Sequence, residues 1–313
     1  MKTINFGRFG LVLFGALAML SDIARAQVPN SVDAPAVIGT LVVAHGASKE
    51  WNDLVRSVVA QVRLDGPVGV AFLMGAEAAT NRFQDVANRL VSRGATRLVV
   101  VPLLISSHSE HYQQIRYLAG ATDSLDAALH AHMDHGGVAR ATVTVPRIVT
   151  RALDDSPAMA RVLAERALAL SRAPAQQALF LVGHGPNSAE DYAHWMHNLR
   201  TVADTVKLLT GFRDVRVDLV RDDAPAHVRA EAVRRVRELI ELQGSLTGRE
   251  VVVVPVLISR GRVSRETFLA DLAGLPVVYS GDPLLPHPGL ARWIEDRVRE
   301  HTPGPVMLSP AAR

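Results

Sequence analysis

Leu41-Val42-Val43-Ala44-His45-Gly46-Ala47-Ser48 is an apolar run that stops at a histidine and a glycine, and the pattern returns as Leu181-Val182-Gly183-His184-Gly185-Pro186-Asn187-Ser188. Each copy is followed by a second apolar run of shared design, Val99-Val100-Val101-Pro102-Leu103-Leu104-Ile105-Ser106 and then Val252-Val253-Val254-Pro255-Val256-Leu257-Ile258-Ser259. Two copies of one pattern mean a duplicated unit.

Outward from these runs, strand-like and helix-like segments alternate. In the first half Val37–Ala44, Val68–Leu73, Arg97–Ile105 and Thr142–Pro146 read as strands. Between and after them, residues 50–63, 78–92, 110–129 and 156–171 read as helices, with Leu54, Val55, Val58, Val59 and Val62 at helical spacing and Ser156-Pro157 as a helix start. The second half repeats the order, with strands at Ala178–Gly183, Asp214–Leu219, Glu250–Ile258 and Pro276–Tyr279 and helices at 189–209, 226–242, 264–272 and 289–300. Such alternation implies parallel sheets covered on both faces. Arg172-Ala173-Pro174 breaks the helix between the halves, so the expected domains are 37–172 and 177–301, with 302–313 as a tail.

The first residues have another character. Lys2 and Arg8 precede an apolar stretch from Leu11 to Leu20, and Ala24-Arg25-Ala26 forms an A-x-A site before Gln27. The stretch is about half of the ~20 residues needed to cross a bilayer, so residues 1–26 read as a cleaved signal peptide and 27–36, with Pro29 and Pro35, as a linker. Cysteine is absent, which excludes disulfides and thiolate metal sites. Export without disulfides fits a periplasmic location, with no stable membrane insertion after cleavage.

The formal charge of +3 does not indicate nucleic acid, since Lys2, Arg8 and Arg25 against Asp22 place +2 of it in the first 26 residues, leaving +1 elsewhere. No basic stripe with interleaved aromatics is present. A serine hydrolase is also disfavoured, because no G-x-S-x-G follows either His-Gly.

Chemistry should lie beyond the carboxyl ends of the strands where strand order reverses. With order 2-1-3-4, that crevice lies between the first and third strands, which brings His45 to the same mouth as His108, Glu110 and His111. Imidazoles and a carboxylate without thiolates suit a borderline divalent metal, and imidazole also transfers protons near neutral pH. The second half keeps His184, but Val263 stands eight residues after Pro255 where Glu110 stands eight after Pro102. That half is therefore expected to lack the site, with Asp222-Asp223 and Asp154-Asp155 read as turn and cap residues, His194 and His197 as a polar helix face, and the tract His130–His135 as a solvated loop.

His-Gly after a buried first strand, then V-V-P-L-L-I-S and a His/Glu cluster, resembles the CbiX/SirB type of sirohydrochlorin chelatase, a class II tetrapyrrole chelatase. The resemblance spans roughly Val37 to Val298 as the long, two-repeat form. It implies two tandem flavodoxin-like (chelatase-like) α/β domains, each a four-stranded parallel sheet flanked by helices, facing across a cleft. It further implies insertion of Co²⁺, Fe²⁺ or Ni²⁺ as substrate into a carboxylated, sirohydrochlorin-like tetrapyrrole, without an organic cofactor. His45 would hold the metal with His108, Glu110 or His111, and Glu110 would take protons from the macrocycle. Lys49, Arg82 and Arg116 are the cations expected near the mouth to bind substrate carboxylates. The alternative is an exported metal- or tetrapyrrole-binding protein without turnover.

Overall fold

The apolar runs become central strands. A computed structural model of the protein describes residues 36–302, and the signal-peptide reading, nearly all of the linker and all but the first residue of the tail lie outside the described residues. In the first repeat the elements are β1 (Ile38–Ala44), α1 (Lys49–Val59), β2 (Val68–Phe72), α2 (Phe83–Ser92), β3 (Arg97–Leu103), α3 (Glu110–Leu118), α4 (Ala127–Gly136), β4 (Arg147–Val149) and α5 (Pro157–Leu170). The second repeat has β5 (Ala178–Gly183), α6 (Ala189–Thr210), β6 (Asp214–Leu219), α7 (Ala226–Thr247), β7 (Val251–Val256), α8 (Phe268–Asp271), β8 (Val277–Tyr279) and α9 (Pro288–Arg299). The sheets are ordered β2-β1-β3-β4 and β6-β5-β7-β8, and every strand pair is parallel.

Period-two side-chain alternation sorts the strands into three cores. Val42, Val99 and Val101 of one sheet join Leu179, Leu181 and Val252 of the other in a single inner core with α1, α5, α6 and α9, filled by Trp51, Met159, Trp195 and Trp293. Leu41, Val43, Val100 and Phe83 form an outer core on the first repeat, and Phe180, Val253, Ile240 and Phe268 form one on the second. Both faces of each sheet are thus covered, which is why the strands are continuous apolar runs rather than alternating ones.

A proline in each third strand is tolerated because of register. Val43 pairs with Pro102 and Val182 with Pro255. Leu98 N–H donates to the Pro146 carbonyl and Thr150 N–H to that of Val100, so the even-numbered residues of β3 face β4, which ends at Val149. The nitrogen of Pro102 therefore points past the end of β4, and no ladder hydrogen bond is lost.

Three expected elements differ. Residues 110–129 form two helices rather than one, broken after Leu118 where Gly120 adopts φ +73°. The fourth strand is Arg147–Val149 and not Thr142–Pro146, because the pairing partner Leu98–Val100 meets the later residues. The stretch expected as a helix from Ser264 starts as a π-helical turn, Val263–Thr267, before α8. Among the described residues, no helix is long and apolar enough to cross a membrane.

A candidate metal centre where the two repeats meet

The His-Gly turns are matched in backbone geometry. Gly46 and Gly185 both have φ +85°, and a side chain at Gly46 would drive into the Met74 carbonyl oxygen at 2.3 Å. Glycine lets each chain turn sharply off its first strand, after which Ser48 and Ser188 cap α1 and α6 with their hydroxyl oxygens. His45 and His184 are thereby held at the carboxyl ends of β1 and β5.

His45 is part-buried, and its Nδ1 lies 2.7 Å from the Gly46 carbonyl oxygen. A carbonyl can only accept, so Nδ1 carries the proton and Nε2 keeps the lone pair a metal needs. Burial, followed by the charge of His111, pushes the His45 pKa down from 6.5 to about 4, against the opposing pull of the Gly46 hydrogen bond; His184 lowers it further and Asp223 raises it. The ring is therefore neutral at pH 7, the protonation state of a ligand.

His111 sits in the first turn of α3, whose start is fixed by Ser109 accepting from Tyr112 N–H. Its ring meets that of His45 edge-on, with centroids 4.6 Å apart and planes at 81°. Its Nδ1 lies 3.2 Å from Oε1 of the buried Gln114, which orients the imidazole. The loop before it hangs on Asp154, a 2% exposed carboxylate that accepts from Ser107 N–H at 2.7 Å and Ser107 Oγ at 2.8 Å. Sequence reading gave Asp154 a turn role; the structure adds that its side chain shapes the loop carrying His108 and His111.

The other expected residues are placed differently. His108 turns to the second repeat, where its ring stacks on His194 at 4.0 Å and its carbonyl accepts from Trp195 Nε1 at 2.5 Å. His194 is thus a neighbour of the site loop, not simply part of a polar helix face. Glu110 is exposed at the start of α3 and makes no hydrogen bond or ion pair with the described residues. Lys49 is exposed and paired with Asp53 at 2.5 Å. Arg82 precedes α2 with its guanidinium against the Gly137 turn, and Arg116 lies 3.4 Å from Gln113 Oε1.

The second half is less degenerate than its sequence suggests. Asp222 and Asp223 do form the turn after β6, yet donor atoms of His184, Asp222 and Asp223 all lie within 4.8 Å of one another. The Asp222 side chain is 6% exposed, and its Oδ1 stands 3.7 Å from His184 Nδ1. Burial raises its pKa, opposed by His184 and reinforced by Asp223. Comparing only the ends of the first and third strands missed this set, because its carboxylates follow the second strand. The signal was there in a pair of aspartates three residues beyond β6.

The two histidine sets share one neighbourhood. Trp51 lies 6.4 Å from His45 and Trp195 5.4 Å from His184, ring to ring. The loop after β7 crosses back onto α1, where Ser259 Oγ donates to the Trp51 carbonyl at 3.2 Å and Arg265 pairs with Glu50.

Residues 39–170 match the CbiX family model. Over 85% of this chain and 96% of the other, the structure superposes on SirB from Bacillus subtilis with Fe³⁺, at 18% identity and TM-score 0.57. A cobalt complex of the sirohydrochlorin chelatase SirB from Bacillus subtilis subspecies spizizenii gives 0.55 at 18% identity, over 85% and 95% of the two chains. A multi-domain protein of Deinococcus radiodurans with structural similarity to chelatases gives 0.53 at 19% identity, covering 84% of this chain and 54% of the other. No curated protein sequence matches the chain significantly. The first repeat thus matches the CbiX family model, and most of the chain, with the same sheet order in both repeats, shares the fold of these solved structures.

Proposed function

We propose that this protein is a chelatase that inserts a divalent transition metal, Co²⁺ or Fe²⁺, into a sirohydrochlorin-like tetrapyrrole. The observation that carries the reading is the edge-on pair of His45 and His111, 4.6 Å apart at the end of β1 and the start of α3. His45 is held neutral by burial, with Nδ1 engaged by Gly46 and Nε2 left to coordinate. Two imidazoles leave the rest of the coordination sphere to water, which pyrrole nitrogens replace as the metal transfers.

Insertion of M²⁺ releases two N–H protons from the macrocycle. Glu110, next to His111 and open to solvent, is the proposed acceptor, passing each proton on to water. His108, stacked on His194, sits in the same loop as a second base. Substrate carboxylates would meet exposed cations around the mouth, Lys49 among them. Residues 1–26 are proposed to direct export to the periplasm, so mature periplasmic protein should begin at Gln27.

The test is an anaerobic absorbance assay with sirohydrochlorin and Co²⁺, Fe²⁺ or Ni²⁺ in turn. Wild type should insert metal above the uncatalysed rate, and His45→Ala or His111→Ala should abolish the enhancement while lowering Co²⁺ affinity at least about tenfold. Macrocycle binding without insertion would replace this reading by a tetrapyrrole carrier.

A further inference from the structure

The repeat that lacks a counterpart of Glu110 still gathers donors around its own histidine. The structure assigns His184, Asp222 and Asp223 as a second divalent-metal site, distinct from the His45–His111 pair and selective for a borderline transition metal.

Asp222 carries the case. Its side chain is 6% exposed, and its Oδ1 is buried with no hydrogen-bond donor. A buried carboxylate oxygen without a partner is costly unless something cationic completes it. His184 Nδ1 stands 3.7 Å from it, too long for a hydrogen bond. It is a good separation for two ligands of one ion, since atoms bound at about 2.1 Å stand roughly 3–4 Å apart. Asp223, exposed and on the same turn, supplies a third donor within 4.8 Å and has room to close on the ion.

The loop is built to hold this arrangement. Arg221, at φ +52°, donates its backbone N–H to the His184 carbonyl at 2.5 Å, and its guanidinium donates to the carbonyls of Pro186 and Asn187. The strand-two turn is thereby tied to the His-Gly turn, and Trp195 supports the imidazole edge-on. One imidazole and two carboxylates select Co²⁺, Fe²⁺, Ni²⁺ or Zn²⁺ over Ca²⁺, which takes six or more oxygens. The assignment needs no tetrapyrrole, so it stands or falls separately from the chelatase reading.

The test is calorimetric titration of the full chain, stripped of metal, with Co²⁺ alone, followed in parallel by visible Co²⁺ absorbance. Wild type should take up two equivalents. His184→Ala and the isosteric Asp222→Asn should each bind one, keeping the affinity of the remaining site within about threefold. His45→Ala should also bind one, and His45→Ala/His184→Ala none. One equivalent in wild type, abolished equally by His45→Ala and His184→Ala, would mean a single shared site and overturn the assignment. Two equivalents untouched by His184→Ala and Asp222→Asn would overturn it as well.

Discussion

The indole nitrogen of Trp195 donates to the backbone carbonyl of His108 at 2.5 Å, so a side chain of the second repeat fixes the loop that carries the first repeat's proposed metal ligands. The bond is made beside the face-to-face stack of His108 on His194. Trp195→Phe keeps most of the apolar surface and removes the donor. Loss of one such bond should lower stability by about 1 kcal/mol, read from urea denaturation, and should weaken Co²⁺ binding at His45 and His111 several-fold. Unchanged metal binding would show that the loop holds its shape without the second repeat.

Asp154 supports the same loop from below. It accepts two hydrogen bonds from Ser107, one from Arg151 Nε at 3.1 Å and a long one from Asn198 Nδ2 at 3.5 Å. Asp154→Ala should cost about 1–3 kcal/mol, because the part-buried Ser107 N–H loses its acceptor. Asp154→Asn, which keeps an acceptor oxygen, should recover part of that loss in the same denaturation experiment.

Acid should destabilise the metal-free protein through His45. Its folded pKa of about 4 lies below the ordinary 6.5, so on acidification the unfolded chain takes up the proton first. This contribution is intact above pH 6.5 and is lost as pH falls through about 4, and the shift corresponds to something on the order of 3 kcal/mol. His45→Gln, measured in chelator, should flatten the fall in stability between pH 6.5 and 4. An acid limb identical to wild type would mean that His45 is not the group responsible.

Catalyst and carrier are separated at Glu110. Glu110→Gln keeps the size of the side chain and abolishes its basicity, so tetrapyrrole affinity should be nearly unchanged while single-turnover insertion slows by roughly 10²-fold. Partial recovery at higher pH would identify His108 as a substitute base. Equal loss of binding and rate would make Glu110 a substrate contact instead of a proton acceptor.

The sequence by itself determined the duplication and the parallel α/β architecture, because these follow from local patterns, while the strand order 2-1-3-4 was a premise that the sheets then showed. Continuous apolar runs specify strands covered on both faces, His-Gly specifies a sharp turn off a strand, and Ser48 and Ser188 cap the helices that follow. The approach of the β1 and β3 ends followed from topology, and with it the meeting of His45 and His111. What the sequence hid depends on geometry finer than an element. Whether His108 or His111 reaches His45 depends on where α3 starts: Ser109 caps it, so His111 lies in its first turn beside His45 while His108 stays in the preceding loop.

Only the tertiary structure decided how the halves relate. The shared core that includes Trp51, Trp195 and Trp293 brings the loop after β3 onto α6 and the loop after β7 onto α1. Asp222 and Asp223 read as a turn in one dimension and form a donor set with His184 in three, because parallel strands deliver the ends of β5 and β6 side by side. Convergence of side chains as far apart in sequence as His184 and Asp222 leaves no local trace, since it is set by the register of the sheet and not by the spacing of residues along the chain.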